Sequence, residues 1–324
     1  MSSITNHAAF LMERKGYPFK VDSAPIPTVQ AYEVLIRARA VAINPCDAII
    51  QSAGVIQENF PGIIGCDLAG EAVSVGSDIK KFKAGDQVIA AVESGAFQEY
   101  CAADVGMVAK LPANIPYEKG VVLPACLGTA ATALFHPREM GLEYPSLEAG
   151  KKNKAAGFEV AATASEHNHN YLKEEVGVDG GVFDYKREDV VGVILEGLKK
   201  SGKHFAGVFC AVIDVPTLTK CAKIADVLGK DEKSRVVGTV VPPNLPWIPN
   251  AEDLPKGFGW GDEWEPNDVG EKVWGEWVTP ALERGLLKCK PEPKIVGDGL
   301  EKIQHAVDIM SKGVSATKLV VTVP

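Results

Sequence analysis

The stretch PGIIGCDLAGEAVSVGSDIKKFKAGDQVIAAV, residues 61–92, sets the texture of the first part of the chain. Glycines at 62, 65, 70, 76 and 85 cut it into short runs rich in valine and isoleucine, each bounded by a turn signal. Such spacing predicts a small, strongly bent β-barrel rather than helices. Upstream, EVLIRARAVAIN (33–44) alternates apolar and polar over its first half and then turns mostly apolar. That is the pattern of a strand passing from a half-exposed sheet into a buried site.

Beyond Leu127 the rhythm changes. FEVAATAS (158–165) and GGVFDY (180–185) read as strands, DVVGVILEGLKK (189–200) as a helix and HFAGVFCAVI (204–213) as a strand. TLTKCAKIADVLGK (217–230) follows as a helix and SRVVGTVVP (234–242) as a strand. Alternation of this kind predicts an α/β unit with a parallel, doubly wound sheet. From Pro291 the texture returns to β, with GLEKIQHAVDIMSKG (299–313) as a helix and KLVVTVP (318–324) as a last strand. The segment 247–277 is rich in tryptophan, glycine and acids; it is either an aromatic wall over a cleft or a surface loop followed by an amphipathic helix with Trp274 and Trp277 packed inward.

One junction breaks the pattern. GKKNKAAGFEV (150–160) reads as the end of a helix running into a strand, yet no strand or glycine-rich turn precedes it. A doubly wound nucleotide fold needs a central first strand, a turn whose N–H groups meet a pyrophosphate, and a helix whose dipole supports them. Neither G-x-G-x-x-G nor a looser form occurs between residues 150 and 181. Roughly twenty residues are missing, given a strand of about five residues and a helix of about eleven.

Composition narrows the function. The chain has 324 residues, enough for two domains, and its net charge of −8 argues against nucleic-acid binding, which needs clustered Lys and Arg. No run of about twenty apolar residues and no leader pattern is present, so the expectation is a cytoplasmic protein with no membrane partner. Its seven cysteines are scattered without a C-x-x-C pair and read as reduced thiols.

The runs NPCDAII (44–50), residues 61–88, GAFQEY (95–100), LGTAATALF (127–135) and GLEKIQHAVDIMSKGVSATKLVV (299–321) together resemble the medium-chain dehydrogenase/reductase superfamily. Within it they are most similar to the fungal zinc-independent branch of enoyl and quinone reductases. The resemblance implies a GroES-like catalytic domain, 1–126 completed by 290–324, around a Rossmann-like cofactor domain, 127–289, truncated near 150–156. It implies reduction of an activated C=C bond or a quinone by hydride from NADPH, on a small-molecule substrate, by a monomer or homodimer. The truncation predicts impaired cofactor binding, and the alternative is a non-catalytic relative or splice product acting at most as a binding module. Family-like sequence resumes at once at AAGFEV, which favours loss of a block over gradual drift.

The resemblance also carries residues. The zinc-enzyme histidine of the G-H-E motif is replaced in Gly65-Cys66-Asp67, so no metal is expected. Asn44, Cys46 and Asp47 fall on the loop lining the nicotinamide; equally, Asn44-Pro45 is a turn and Asp47 a helix cap. The family lysine two residues after this Asp is Ile49 here. Thr129 matches a hydroxyl near the carboxamide or substrate, the one catalytic candidate, or else is a helix N-terminal threonine. Ser165, His167 and Asn168 keep the outline of a site for the adenosine 2′-phosphate, which favours NADP, although Glu166 stands where the family has proline. Tyr185 matches a tyrosine reaching that phosphate, or caps a strand. Val240, Val241, Val314 and Ser315 match positions on the nicotinamide side, and His169 is expected to face solvent.

Overall fold

The computed structural model describes residues 5–148, 157–231, 233–239, 250–254 and 268–324. They form two compact units, Met1–Gly128 with Gly270–Pro324, and Thr129–Val269.

The first unit opens with β1 (Asn6–Leu11), β2 (Lys20–Ala24), β3 (Glu33–Ile43) and helix α1 (Pro45–Ala53). Strands β4 (Gly62–Ile63), β5 (Asp67–Val75), β6 (Gln87–Ala91), β7 (Tyr100–Asp104) and β8 (Val108–Lys110) follow. Helices α2 (Tyr117–Gly120) and α3 (Pro124–Phe135) come next, with the unit boundary inside α3. The 11-residue β3 is the seam: β5 runs antiparallel along one edge, and β7 pairs with Glu33–Arg37 on the other. Gly70 of β5 faces Ala38, and a Cβ there would sit 2.0 Å from the Arg37 carbonyl oxygen, so only glycine permits this close pairing.

In the second unit β9 (Ala162–Ala164) pairs in parallel with β10 (Val182–Asp184), α4 (Val190–Ser201) follows, and β11 (Val208–Cys210) pairs in parallel with β12 (Val237–Thr239) around α5 (Val215–Leu228). Every expected strand is present, but each has three described residues where five or six are usual. A doubly wound sheet runs 3-2-1-4-5 from its third strand. The observed pairs β10-β9 and β11-β12 are the 3-2 and 4-5 halves of that order. Among the described residues nothing pairs with the free edges of β9 and β11, where a first strand belongs. The junction at residues 149–156 lies outside the described residues.

The chain then returns through a π-helical stretch, Gly270–Trp277, and α6 (Val278–Glu283) to β13 (Glu292–Asp298), α7 (Ile303–Ser311) and β14 (Thr317–Thr322). Trp274 and Trp277, 1% and 6% exposed, are packed inward, and Thr279 Oγ1 donates to the Lys110 carbonyl at the end of β8. These contacts hold Gly270–Cys289 in the first unit, about twenty residues ahead of the return expected at 290. The first unit is not a closed barrel. Its main sheet follows the path β13-β14-β3-β5-β6-β8, and β1, β2 and β4 form a separate sheet. With three residues, β8 pairs only with β6, while β13 pairs only with β14, so the ends do not meet. Ile36, Ile43, Leu68, Val88, Phe97, Ile303 and Leu319 share the core.

Among the described residues, small apolar clusters of the second unit gather around Leu218 and Val237 and around Val190 and Ile194. Local openings should therefore concentrate there. In native-state hydrogen exchange, amides of β9 to β12 should exchange well before those of β3, β5 and β14; equal protection across both units would contradict this.

Candidate functional site

The register of β3 builds a polar hub inside the first unit. Leu319 stands opposite Ile43, and Asp67 opposite Ala42, so one step further Lys318 and Asn44 meet at the start of β5. Lys318 Nζ lies 2.7 Å from Asp67 Oδ2 and 2.5 Å from Asn44 Oδ1. Asn44 Nδ2 donates to Asp67 Oδ2 at 2.8 Å, and Ala125 N in the first turn of α3 donates to Asp67 Oδ1 at 2.5 Å. Lys318 and Asn44 are each 5% exposed and Asp67 is fully buried. Burial works against the ammonium, but the neighbouring Asp67 carboxylate outweighs it and holds Lys318 above its ordinary pKa.

Asp47 lies in the first turn of α1, with Pro45 starting the helix. Its Oδ2 accepts from Asn44 N at 2.7 Å, the reciprocal half of a capping box. Its Oδ1 is buried without a hydrogen-bond partner among the described residues. Burial pushes its carboxyl well above 3.8, favouring the protonated acid. The ligand atoms of Cys46, Asp47 and Cys66 lie within 4.8 Å of one another. The neighbouring Cys66 thiol draws Cys46 below its usual pKa, Cys46 in turn pushes Cys66 up, and Cys66 Sγ donates to the Glu93 carbonyl at 3.6 Å.

A metal needs deprotonated ligands. Here burial favours a proton on Asp47, Cys66 retains its own, and the ammonium of Lys318 already compensates Asp67. This donor set suits a divalent cation poorly.

A second cluster sits at the carboxyl ends of the parallel strands β9 and β10, the end at which doubly wound sheets bind ligands. Ser165 Oγ donates to the Tyr185 hydroxyl at 3.1 Å. His167 and Asn168 lie in the 3₁₀ turn Glu166–Asn168 that follows, with Asn168 N donating to the Ser165 carbonyl. Of the residues expected at the adenosine phosphate, Ser165 and Tyr185 are brought together by this bond, His167 and Asn168 lie in the turn that follows Ser165, and Lys186 lies 6.0 Å from the centre of the Tyr185 ring. A cavity of about 540 Å³ elsewhere in this unit is lined by Phe135, Met140, Leu142, Tyr144, Val236 and Asp268 among others, and by none of the expected site residues.

Residues 30–113 match the alcohol dehydrogenase GroES-like domain. Over 334 aligned positions the chain is 34% identical to the zinc-binding alcohol dehydrogenase domain-containing protein cipB of Emericella nidulans, covering 99% of each. The chain belongs to the medium-chain dehydrogenase/reductase superfamily. The trans-enoyl reductase himH of Aspergillus japonicus is 29% identical over 357 positions, covering 100% of this chain and 99% of that protein. Since this member has 324 residues, himH carries residues with no counterpart here. In fold, the CurK enoyl reductase superposes with a TM-score of 0.73 at 17% identity, covering 98% of this chain and 99% of that one.

Thr129 lies within α3 at the first position of the second unit. Val314, packed on the core, and Ser315, exposed, lie in the turn before β14. Val240 and Val241 lie outside the described residues, as do Trp247, Trp260 and Trp264 of the expected aromatic wall. His169 does not simply face solvent: its Nε2 lies 3.2 Å from the Ala164 carbonyl, because the turn after β9 folds the ring back over the strand end. Sequence reasoning missed Lys318, and the available signal was one lysine heading an otherwise apolar strand.

Removing Lys318 leaves a buried carboxylate uncompensated, so Lys318→Met should cost about 3–5 kcal/mol in urea unfolding. Asp47 gives a pH signature. Its folded pKa is raised, so its contribution is full below 3.8 and is lost as pH rises towards the folded value. Asp47→Asn should flatten this decline in urea midpoints measured from about pH 4 to about pH 8.

Proposed function

We infer that the protein is an NADPH-dependent oxidoreductase reducing an activated C=C bond of an enoyl substrate, or a quinone, with a weakened hold on its cofactor. The observation that carries this reading is the Ser165–Tyr185 hydroxyl pair, 3.1 Å apart at the ends of two parallel strands, in a chain that matches a trans-enoyl reductase over its whole length. Two hydroxyls, the imidazole of His167, the amide of Asn168 and the nearby Lys186 suit a 2′-phosphate, whereas an NAD site presents a carboxylate to the ribose.

Bound nicotinamide supplies the hydride, and the protein positions and desolvates the reacting groups. Thr129 is the hydroxyl proposed for the carboxamide or substrate. No zinc is required, because Lys318 supplies the buried positive charge beside Asp67. Supporting the weak hold are the edges of β9 and β11, unpaired among the described residues, and the lack of a glycine turn between residues 150 and 181 to bind the pyrophosphate. The same edges favour a second reading, a non-catalytic relative acting as a small-molecule binding module.

Oxidation of reduced nicotinamide with an enoyl thioester and with a simple quinone separates the two: turnover with NADPH and little with NADH supports the reductase, and none with either supports the binding module. Ser165→Ala and Tyr185→Phe should each raise KM for NADPH about tenfold, the worth of one charge-assisted hydrogen bond, and leave KM for NADH nearly unchanged. Thermal stabilisation by NADPH should be small at concentrations that saturate intact relatives; a large shift would contradict the weakened hold.

A further inference from the structure

Cys46 is the second residue of α1, and Cys66 immediately precedes β5. Both are partly exposed, and their sulfurs lie within 4.8 Å of each other. The fold fixes this approach. Asn44, just ahead of α1, is bonded to Asp67, the residue after Cys66, and Asp67 is paired with Ala42 across β3 and β5. The two backbones are therefore held side by side, and a sulfur–sulfur bond of about 2.05 Å is reachable by side-chain rotation with small adjustments.

We propose that Cys46 and Cys66 form an oxidisable dithiol, a modification site at which a hydroperoxide converts the two thiols to a disulfide. The pair is chemically asymmetric in the way such a reaction needs. The neighbouring Cys66 thiol and the ammonium of Lys318 draw Cys46 towards the thiolate, while the Cys66 thiol donates to the Glu93 carbonyl at 3.6 Å.

The Cys46 thiolate attacks one peroxide oxygen. An S–O bond forms as the O–O bond breaks, and the departing hydroxide takes up the proton Cys46 released, giving water with hydrogen peroxide. Cys66 then attacks the sulfur of the Cys46 sulfenic acid; an S–S bond forms, the S–O bond breaks, and the Cys66 proton leaves with hydroxide as a second water. Two electrons pass from the sulfur pair to the peroxide. The product joins the start of α1 to the entry of β5, beside Asn44 and Asp67. Cys126, whose sulfur is 3.9 Å from Lys318 Nζ, is the nearest competing thiol, and Cys101 is buried away from this cluster.

The test treats the purified full chain with hydrogen peroxide, alkylates the remaining thiols, and maps peptides by mass spectrometry without reductant. The expected result is a Cys46–Cys66 cross-linked peptide, loss of alkylation at both residues, retention of a free Cys101, and full reversal by dithiothreitol. In Cys66→Ser, Cys46 should instead be trapped as a sulfenic acid by dimedone. Alkylation of both residues after peroxide, a Cys46–Cys126 link, or a stoichiometric zinc ion shielding the pair in the untreated protein would each overturn the proposal. The wild-type map decides the matter even if the variant fails to fold.

Discussion

The ammonium of Lys318 is held against the carboxylate of Asp67 at 2.7 Å, with both side chains almost wholly removed from water, and the first unit is organised around that contact. Residues from four parts of the chain converge on it: Asn44 before α1, Asp67 at the head of β5, Ala125 opening α3, and Lys318 at the start of β14. A buried pair of this kind is maintained only if every remaining polar atom is satisfied, since either charge alone would be severely destabilising. The Asn44 amide and the Ala125 N–H meet that demand. The C-terminal strand must therefore return to β3 in one register, because a one-residue slip would point Lys318 to the opposite face.

The second unit lacks such a constraint. Its parallel pairs β10-β9 and β11-β12 are each compatible with a doubly wound sheet, but they are not joined among the described residues. In a doubly wound sheet a central first strand saturates the inner edges of both such pairs and carries the phosphate-binding turn, so sheet and ligand site depend on one segment. The Ser165–Tyr185 hydroxyl pair at the ends of β9 and β10 is built without it.

Much of this was legible in the residues, for identifiable reasons. The glycine spacing of 61–92 and the alternation of 33–44 specify strands whose neighbours are close in sequence, and those strands form. The interrupted rhythm at 150–156 falls outside the described residues. Barrel closure was not legible, because it depends on whether β8 and β13, remote in sequence, reach one another. Nor was the point of return: Trp274 and Trp277 look amphipathic, but only packing decides which unit receives them. Lys318 was invisible for the same reason, since a lysine heading an apolar strand reads as an exposed end until Asp67 is placed opposite. The reading of Asp47 as a helix cap agrees with its bond from Asn44 N, and burial turns the Asn44 side chain to Lys318.

The most direct measurement of the central interaction is nitrogen-detected NMR of the lysine side chains in the intact protein. A single ammonium, assigned to Lys318 by its absence in the Lys318→Arg variant, should exchange its protons with solvent far more slowly than the other lysines and show a scalar coupling to the Asp67 carboxylate. A Lys318 signal exchanging as fast as the surface lysines, or one belonging to a neutral amine at neutral pH, would contradict the account.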